Sequence, residues 1–569
     1  MLSLDQRIAG VLVPIFALRG RVDLGIGDTA ALAEFVDWTS AQGFRLVKIL
    51  PVNETGGDHS PYNAISARAL EPTTIHTAPG VLPDLQEKDF EEELSRVDRA
   101  ALESDRVDYS VVKPLKRRLL ERAFARFQKR HLQKKTARAR EFARFSKAEA
   151  EWLRDYALFR LLMEENGTEC WDQWPQLQRS RAGARKWLAG LRIRERLLAQ
   201  RRLRFITYVQ WVAFAQWQRV HAYASERGVA LMGDIPFGVS YYSADVWAQP
   251  QLFKQGWYGG TPPDRIFKHD PFVSKWGQNW GIPLYDWDAM RADGFRWWRR
   301  RVRGLREFFD LFRIDHVLGF YRIYGFPWHP ARNGEFLPLS QDEAAARTGG
   351  ERPHFHPRPD DTPLHKAGNQ DEGEEYLRAI LEEAGAGTVI GEDLGEVPDY
   401  VRPSLTELGI AGYKIPAWEK REDGSLIPGS DYQRLSIATY GTHDHDTLRA
   451  WWDESAHEAA RKDGAEARDA RRVLSQFAGQ GGNPPREFTP ELHEALLRAL
   501  FESNSWIVVV MITDLFARAE RFNLPGVGHG NWTQRLHRPI SELEQEPVLP
   551  RVRSLLSQSG RAAQAEIGR

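Results

Sequence analysis

The sequence predicts an α/β chain folded as a (β/α)8 TIM barrel, with a large helical insertion and additional loop insertions. Three observations lead there. Eight short apolar segments recur, most of them ending in polar or acidic residues; helix-period stretches lie between many of them; and the intervals from one segment to the next are strongly unequal.

In chain order, segments 11–16, 46–50 and 229–234 are read as the first three strands. The apolar stretch that holds the first is interrupted by Pro14, follows no basic region and precedes no clean cleavage site, so a strand is expected there and not a secretion signal. Residues 30–42 carry helix periodicity and supply the first helix. Between the second and third strands, 77–204 is rich in Arg, Lys, Glu, Leu and Ala at helical spacing, which predicts a helical insertion subdomain. Its Lys/Arg run at 113–147 is flanked by acids and reads as a solvated helix face. Next, 235–293 sets Trp247, Trp257, Trp276, Trp280 and Trp287 among Gly and Pro, an ordered loop insertion. Helix 296–309 leads to the fourth strand, 311–315, and the polar, weakly periodic 329–374 is expected to be a surface loop. Helix 374–384, strands 388–392, 412–416 and 435–440, helix 492–501 and strand 507–514 complete one barrel spanning 1–569.

Composition excludes several classes of function. Lys+Arg and Asp+Glu are equal at 78 each, so the broad basic field that selects nucleic acid is missing. With 27% charged and 42% hydrophobic residues the chain reads as globular, and its longest apolar run, 506–513, is too short to span a bilayer. Neither nucleic acid nor membrane is therefore expected as a partner. Cys170 is the only cysteine, which rules out an intrachain disulfide and suits a reducing cytoplasm. The 20 Trp exceed what core packing needs, and flat aromatic faces with polar edges pair well with the C–H faces of sugars.

Barrel enzymes carry their chemistry at the C-terminal ends of the strands. Here those ends hold Asp234, Asp315, Glu392 and, just beyond a strand, Asp444. In Phe312-Arg313-Ile314-Asp315-His316, alternation puts Arg313 on the face of Asp315, where a guanidinium keeps a carboxylate ionised and nucleophilic. Val389-Ile390-Gly391-Glu392-Asp393 ends in paired acids, one of which can stay protonated as a general acid in a less polar setting. Two carboxyls with separated pKa values make a glycosidase pair. Gly441-Thr442-His443-Asp444-His445-Asp446 brings a third acid; its alternating His and Asp also suggest a metal, but helical i,i+4 spacing and Cys ligands are missing, so no metal or other cofactor is expected.

Beyond these three stretches, the chain carries Gly25-Ile26-Gly27-Asp28, Ser60-Pro61-Tyr62, Gly233-Asp234-Ile235-Pro236, Ser243-Ala244-Asp245-Val246-Trp247, Pro262-Pro263-Asp264, Gly277-Gln278-Asn279-Trp280-Gly281 and Arg521-Phe522-Asn523-Leu524-Pro525-Gly526. In these motifs it resembles, over nearly its whole length, glycoside hydrolase family 77, the 4-α-glucanotransferases of the amylomaltase or disproportionating-enzyme kind. The resemblance implies transfer of α-1,4-glucan segments between malto-oligosaccharides by a retaining double displacement. It implies Asp315 as nucleophile, Glu392 as general acid and then base, and Asp444 as transition-state stabiliser. Arg313, His316 and His443 would orient the carboxylates and the sugar, and Tyr62, Asp264, Gln278, Trp280 and Asn523 match positions of glucan contact. The chain departs from the family pattern at Val47-Lys48, where Trp-Gln is usual, and at Thr513, where Gln usually precedes the acid. Two alternatives remain at this stage: an α-glucan hydrolase using the same carboxylates, and a non-catalytic glucan-binding protein. A dinucleotide site at Gly25-Ile26-Gly27 is set aside, since no third glycine follows at the required spacing.

Overall fold

The computed structural model describes residues 3–263, 270–385, 387–461, 464–481, 483–525, 527 and 530–562. Eight parallel strands form its centre: β1 (Ile8–Leu12), β2 (Leu46–Lys48), β3 (Ala230–Ile235), β4 (Leu311–Ile314), β5 (Val389–Gly391), β6 (Gly412–Lys414), β7 (Ser436–Ala438) and β8 (Ile507–Met511). Pairing runs in the order β6-β7-β8-β1-β2-β3-β4-β5, and a parallel bridge between Ile390 and Ala411 joins the two ends into a ring. Both faces of each strand are covered, so β1 and β8 are buried along their whole length and read as unbroken apolar runs.

The first strand is Ile8–Leu12, earlier than the expected 11–16. Pro14 has no N–H to give the ladder, and Ile15–Ala17 tighten into a 3₁₀ turn. The last strand is shorter than expected because Ile512–Leu515 coil into a helical turn at its mouth. The helix before β5 runs Pro363–Ala384, well ahead of the expected 374. Its first turns look polar in sequence, yet Thr362 caps them and Asn369 is fully buried.

Between β2 and β3 lie the helices Glu87–Leu94, Tyr109–Phe127, Ala137–Ala148, Ala150–Asn166 and Arg181–Gly190. The next helix, Ile193–Glu226, runs on without a break to the threshold of β3, so position 204 falls inside it. Residues Phe253–Thr261 and Gln278–Tyr285 pair as antiparallel strands, and Ile323–Phe326 and His354–His356 extend them into a four-stranded sheet. One small sheet thus unites parts of 235–293 and of the polar stretch 329–374. That polar stretch also holds two short helices, Asn333–Phe336 and Gln341–Arg347, the second closed by a Ser340/Glu343 capping box.

The Gly25-Ile26-Gly27-Asp28 motif turns out to be structural. A Cβ on Gly27 would lie 1.9 Å from the Ile15 carbonyl oxygen, so only glycine fits. Asp28 caps the helix Thr29–Ala41 and meets the buried Lys116 at 3.2 Å, tying the helical insertion to the barrel. At the opposite end of the barrel, Arg561 is wholly buried and donates to the carbonyls of Ile8, Phe501, Ser503, Ser505 and Trp506 at 2.6–3.3 Å. It thereby ties the start of β1, the approach to β8 and the closing helix Leu549–Gln558 together. Replacement Arg561→Met keeps the stem but removes a donor from all five carbonyls, of which Trp506 keeps Ile8 N–H and Ser503 keeps Arg7, so a loss of about 3 kcal/mol in unfolding free energy is expected from urea titration. A change below about 0.5 kcal/mol would contradict the clamp.

Candidate active site

The register of β3, β4 and β5 builds the site. Asp234 on β3 lies beside Arg313 on β4, and Arg313 beside Ile390 on β5. Lateral neighbours in a parallel sheet share a face, so Asp234 and Arg313 both point into the barrel, and continuing the register sets Asp315 next to Glu392. Just past β4, His316 adopts a left-handed conformation with φ 43°, a strained turn of the kind found at functional sites. That turn aims the His316 N–H at Glu392 Oε2, 2.8 Å away.

Arg313 stands at the centre with no solvent exposure. Its Nη1 lies 2.7 Å from both Asp234 oxygens and 2.9 Å from Asp315 Oδ1, while Nη2 lies 2.8 Å from Glu392 Oε1. Three carboxylates share one guanidinium. Tyr62 donates its hydroxyl to Asp234 Oδ2 at 3.0 Å and stacks its ring on His443, with centroids 4.8 Å apart and planes 5° apart. His443 Nε2 is 3.2 Å from Asp444 Oδ2, and Asn523 donates to Asp444 Oδ1 at 2.6 Å. On the far side Trp280 stands edge-on to His316 at 4.9 Å and donates its Nε1 to Gln278 Oε1.

The electrostatics depart from the sequence expectation in one respect. Burial works to raise Glu392, but the Arg313 guanidinium and the His316 N–H outweigh it and hold the carboxyl down at about 2. Asp315 is pushed well up, first by burial and then by the Glu392, Asp234 and Asp444 charges, with Arg313 opposing. Burial and neighbouring anions thus oppose ionisation of Asp315, while Glu392 is the better supported anion, a bias opposite to the one the two roles ask for. The reason is geometric: Asp234 occupies the Arg313 nitrogen that Asp315 also needs, whereas Glu392 has the other nitrogen and a backbone donor to itself. Burial lowers His316 to about 4 and His443 to about 3, so both rings are neutral at pH 7. Burial is also the chief cause that raises Asp444.

Of the sequence-selected residues, Asp315, Glu392, Asp444, Tyr62, Arg313, His316, His443, Gln278, Trp280 and Asn523 are thus linked through these contacts around one barrel mouth, and Asp264 lies outside the described residues. Asp393, the second acid of its pair, serves the fold: it accepts from Tyr413 N and from Arg402 Nε. Sequence reasoning missed Trp532, which lies near the Tyr62 and His443 rings, and Arg521, which donates to the Asp444 carbonyl and pairs with Asp446. It also missed what Lys48 does. Lys48 is buried at the end of β2, and its Nζ donates across the barrel to Tyr413 Oη on β6 at 2.7 Å. Among the described residues, no three His, Cys, Asp or Glu are grouped to hold a metal ion, and no helix is long and apolar enough to cross a membrane.

A family model described as 4-alpha-glucanotransferase, glycoside hydrolase family 77, matches residues 13–541. The chain belongs to this family. It is 30% identical over 553 residues to a 4-alpha-glucanotransferase of Chlamydia muridarum, covering 95% of this chain and 93% of that protein. A Synechocystis 4-alpha-glucanotransferase is 30% identical, with 94% of each chain covered. Among solved structures, an amylomaltase from Streptococcus agalactiae in complex with acarbose shares the fold at a TM-score of 0.73 and 24% identity, covering 98% of this chain and 100% of that one. The amylomaltase of Corynebacterium glutamicum does so at 0.77 and 19%, covering 98% and 76%.

Within the 4-alpha-glucanotransferase barrel the buried amine of Lys48 has a measurable signature. Burial, with Arg313 adding to it, lowers its pKa to about 7, while Asp234, Glu392 and Asp315 pull the other way. An unfolded lysine holds its proton to about 10.5, so between those values the unfolded chain binds the extra proton and stability rises with pH. Below that window the cost of the buried charge is felt in full. Lys48→Met is expected to raise Tm relative to the parent more at about pH 6 than at about pH 9. Thermal unfolding with the opposite order, or with equal offsets, would refute an amine whose pKa burial lowers.

Proposed function

We propose that this barrel mouth transfers α-1,4-glucan segments by a retaining double displacement with Asp315 as nucleophile, Glu392 as acid and then base, and Asp444 as stabiliser. The observation that carries the reading is Arg313 holding Asp315 and Glu392 on its two terminal nitrogens, 2.9 and 2.8 Å away, so that two carboxyls flank one point in the mouth. The reaction needs Asp315 ionised and Glu392 protonated, against the bias set by the neighbouring charges, and the donor glucan favours that state. A glycosidic oxygen offers protonated Glu392 an acceptor, and positive charge developing at the anomeric carbon favours ionised Asp315. Asp315 then attacks that carbon, the glycosidic bond breaks, and Glu392 delivers its proton to the leaving 4-oxygen. In the second half Glu392 takes the proton of an incoming 4-hydroxyl, which displaces Asp315 and restores both groups. Asp444, fixed by Asn523 and close to His443, supplies negative charge to the oxocarbenium-like state.

Tyr62, Arg313, His316 and His443 hold the carboxyls and the sugar in place, while Gln278, Trp280 and Asn523 form the glucan contacts; Asp264 is proposed to join them. The substrates are malto-oligosaccharides and other α-1,4-glucans, and acarbose bound to the Streptococcus relative supports that class. The same reading treats 1–569 as one catalytic barrel with insertions at 77–204, 235–293 and 329–374, acting in the cytoplasm. No cofactor enters the chemistry.

Incubation with maltotriose is expected to give glucose together with longer oligosaccharides at constant total reducing ends. Rising reducing ends without longer products would replace transfer by hydrolysis. Asp315→Asn and Glu392→Gln are each expected to lower kcat by roughly three orders of magnitude or more with Tm little changed, and near-parental turnover in either would overturn the assignment.

A further inference from the structure

A second cluster of aromatic rings lies beside the small antiparallel sheet and takes no part in the chemistry above. Trp171 and Asp172 come from a 3₁₀ turn, Trp171–Gln173, next to the helix Ala150–Asn166; Tyr241 and Tyr242 follow β3; Tyr258 stands on Phe253–Thr261; and His329 precedes the turn Pro330–Arg332. Four separate stretches of chain therefore converge. Tyr241 lies 5.1 Å from Trp171, 5.0 Å from Tyr242, 5.7 Å from Tyr258 and 5.6 Å from His329, centroid to centroid. His329 closes the group at 5.1 Å from Tyr258 and 5.7 Å from Tyr242.

Three features separate this cluster from ordinary core packing. Core tryptophans elsewhere are sealed, as Trp174 is at 1% exposure, whereas Trp171, Tyr241, Tyr242 and His329 are only half-buried. The Tyr241 and Tyr258 hydroxyls have no hydrogen-bond partner among the described residues, while Tyr242 Oη leans on Asp172 Oδ2 at 3.4 Å and Trp171 Nε1 donates to the Tyr241 carbonyl at 2.8 Å. Burial lowers His329, so its ring is neutral at pH 7 and presents an apolar face with polar edges.

The cluster also connects to the reaction centre. Trp280, which packs edge-on against His316, is followed by Gly281, whose Cα side is so close to Pro330 that an added Cβ would lie 2.8 Å from the proline ring. Pro330 is the neighbour of His329, and Asn279 Nδ2 donates to the Trp328 carbonyl at 2.9 Å. The strand that carries Trp280 thus lies against the segment that carries His329, and from His329 the rings pass on to Tyr241 and Trp171.

From this arrangement we infer that Trp171, Tyr241, Tyr242 and His329, backed by the buried Tyr258, form a remote track for the arm of a long α-1,4-glucan, several glucose units away from the bond being exchanged. Half-exposed rings stack on sugar C–H faces and free phenol edges take sugar hydroxyls, a combination that a glucan arm satisfies repeatedly along its length. The inference rests on the α-glucan reading proposed above, and its consequence is a preference for long chains that the mouth alone does not create.

The test uses Tyr241→Ala/Tyr242→Ala in the full chain. For disproportionation, kcat/KM on amylose is expected to fall by about tenfold, chiefly through KM, while kcat/KM on maltotriose stays within about twofold. Equal losses on both substrates, or no loss on amylose, would overturn the track. Binding is read separately so that a failure of the catalytic reading does not hide the result. Retardation in native gels containing amylose is compared for Asp315→Asn and for Asp315→Asn combined with the tyrosine pair. Retardation that disappears with the tyrosines supports the track even if the parent transfers no glucan, and undiminished retardation sinks it. A purely structural seam would lower Tm and leave the dependence on chain length unmoved.

Discussion

A guanidinium taken wholly out of water costs several kcal/mol unless anions surround it, and Arg313 is that case. Asp234, Asp315 and Glu392 all lean on it, so the position of each carboxyl is set by the demand of the others. Asp234 spends both oxygens on the ion pair and takes the Tyr62 hydroxyl, which in turn sets the ring that stacks on His443 beside Asp444. Removing one partner would leave uncompensated charge in the barrel mouth and disturb residues on four strands and their loops. The same arrangement makes the Asp315–Glu392 pair asymmetric, with Glu392 the better supported anion.

Lys48 adds a second cation beneath this group, braced against Tyr413 from the opposite side of the barrel. Lys48, Asp234, Arg313 and Tyr413, from β2, β3, β4 and β6, thereby form a polar layer where most barrels of this kind stack aliphatic side chains. In the proposed reaction Asp315 and Glu392 sit on this polarised layer, and charge moving between them asks for little reorganisation.

How far this was legible in the sequence depended on the length scale of the cause. Strand cores such as Leu311–Ile314 and Ile507–Met511 are apolar and local, so periodicity finds them, and strand mouths then locate Asp315 and Glu392. Pro14 is equally local, but its effect on where β1 ends was read one turn late. The beginning of the helix Pro363–Ala384 escaped because its polar residues are buried by contacts made elsewhere: Asn369 with Arg358 and Asp360, Gly373 against Tyr321. The antiparallel sheet escaped for the same reason, since its four strands come from stretches up to about a hundred residues apart. The different charge bias of Asp315 and Glu392 needed three-dimensional distances, as both are near Arg313 and only the sharing with Asp234 tells them apart. Lys48 looked like a mere departure from a motif until its partner on β6 was in view.

The pairing of β1 with β8, sealed by Arg561, has a consequence for how the chain is made. Ile8 leaves the ribosome about 500 residues before Ile507, which at cellular rates of synthesis is roughly 25 to 100 s. Until that last strand is made, the apolar β1 lacks the partner it pairs with in the finished barrel, and that edge stays open. Such an edge is a template for other chains, so the yield of this protein depends on what shelters the nascent edge until the last strand arrives.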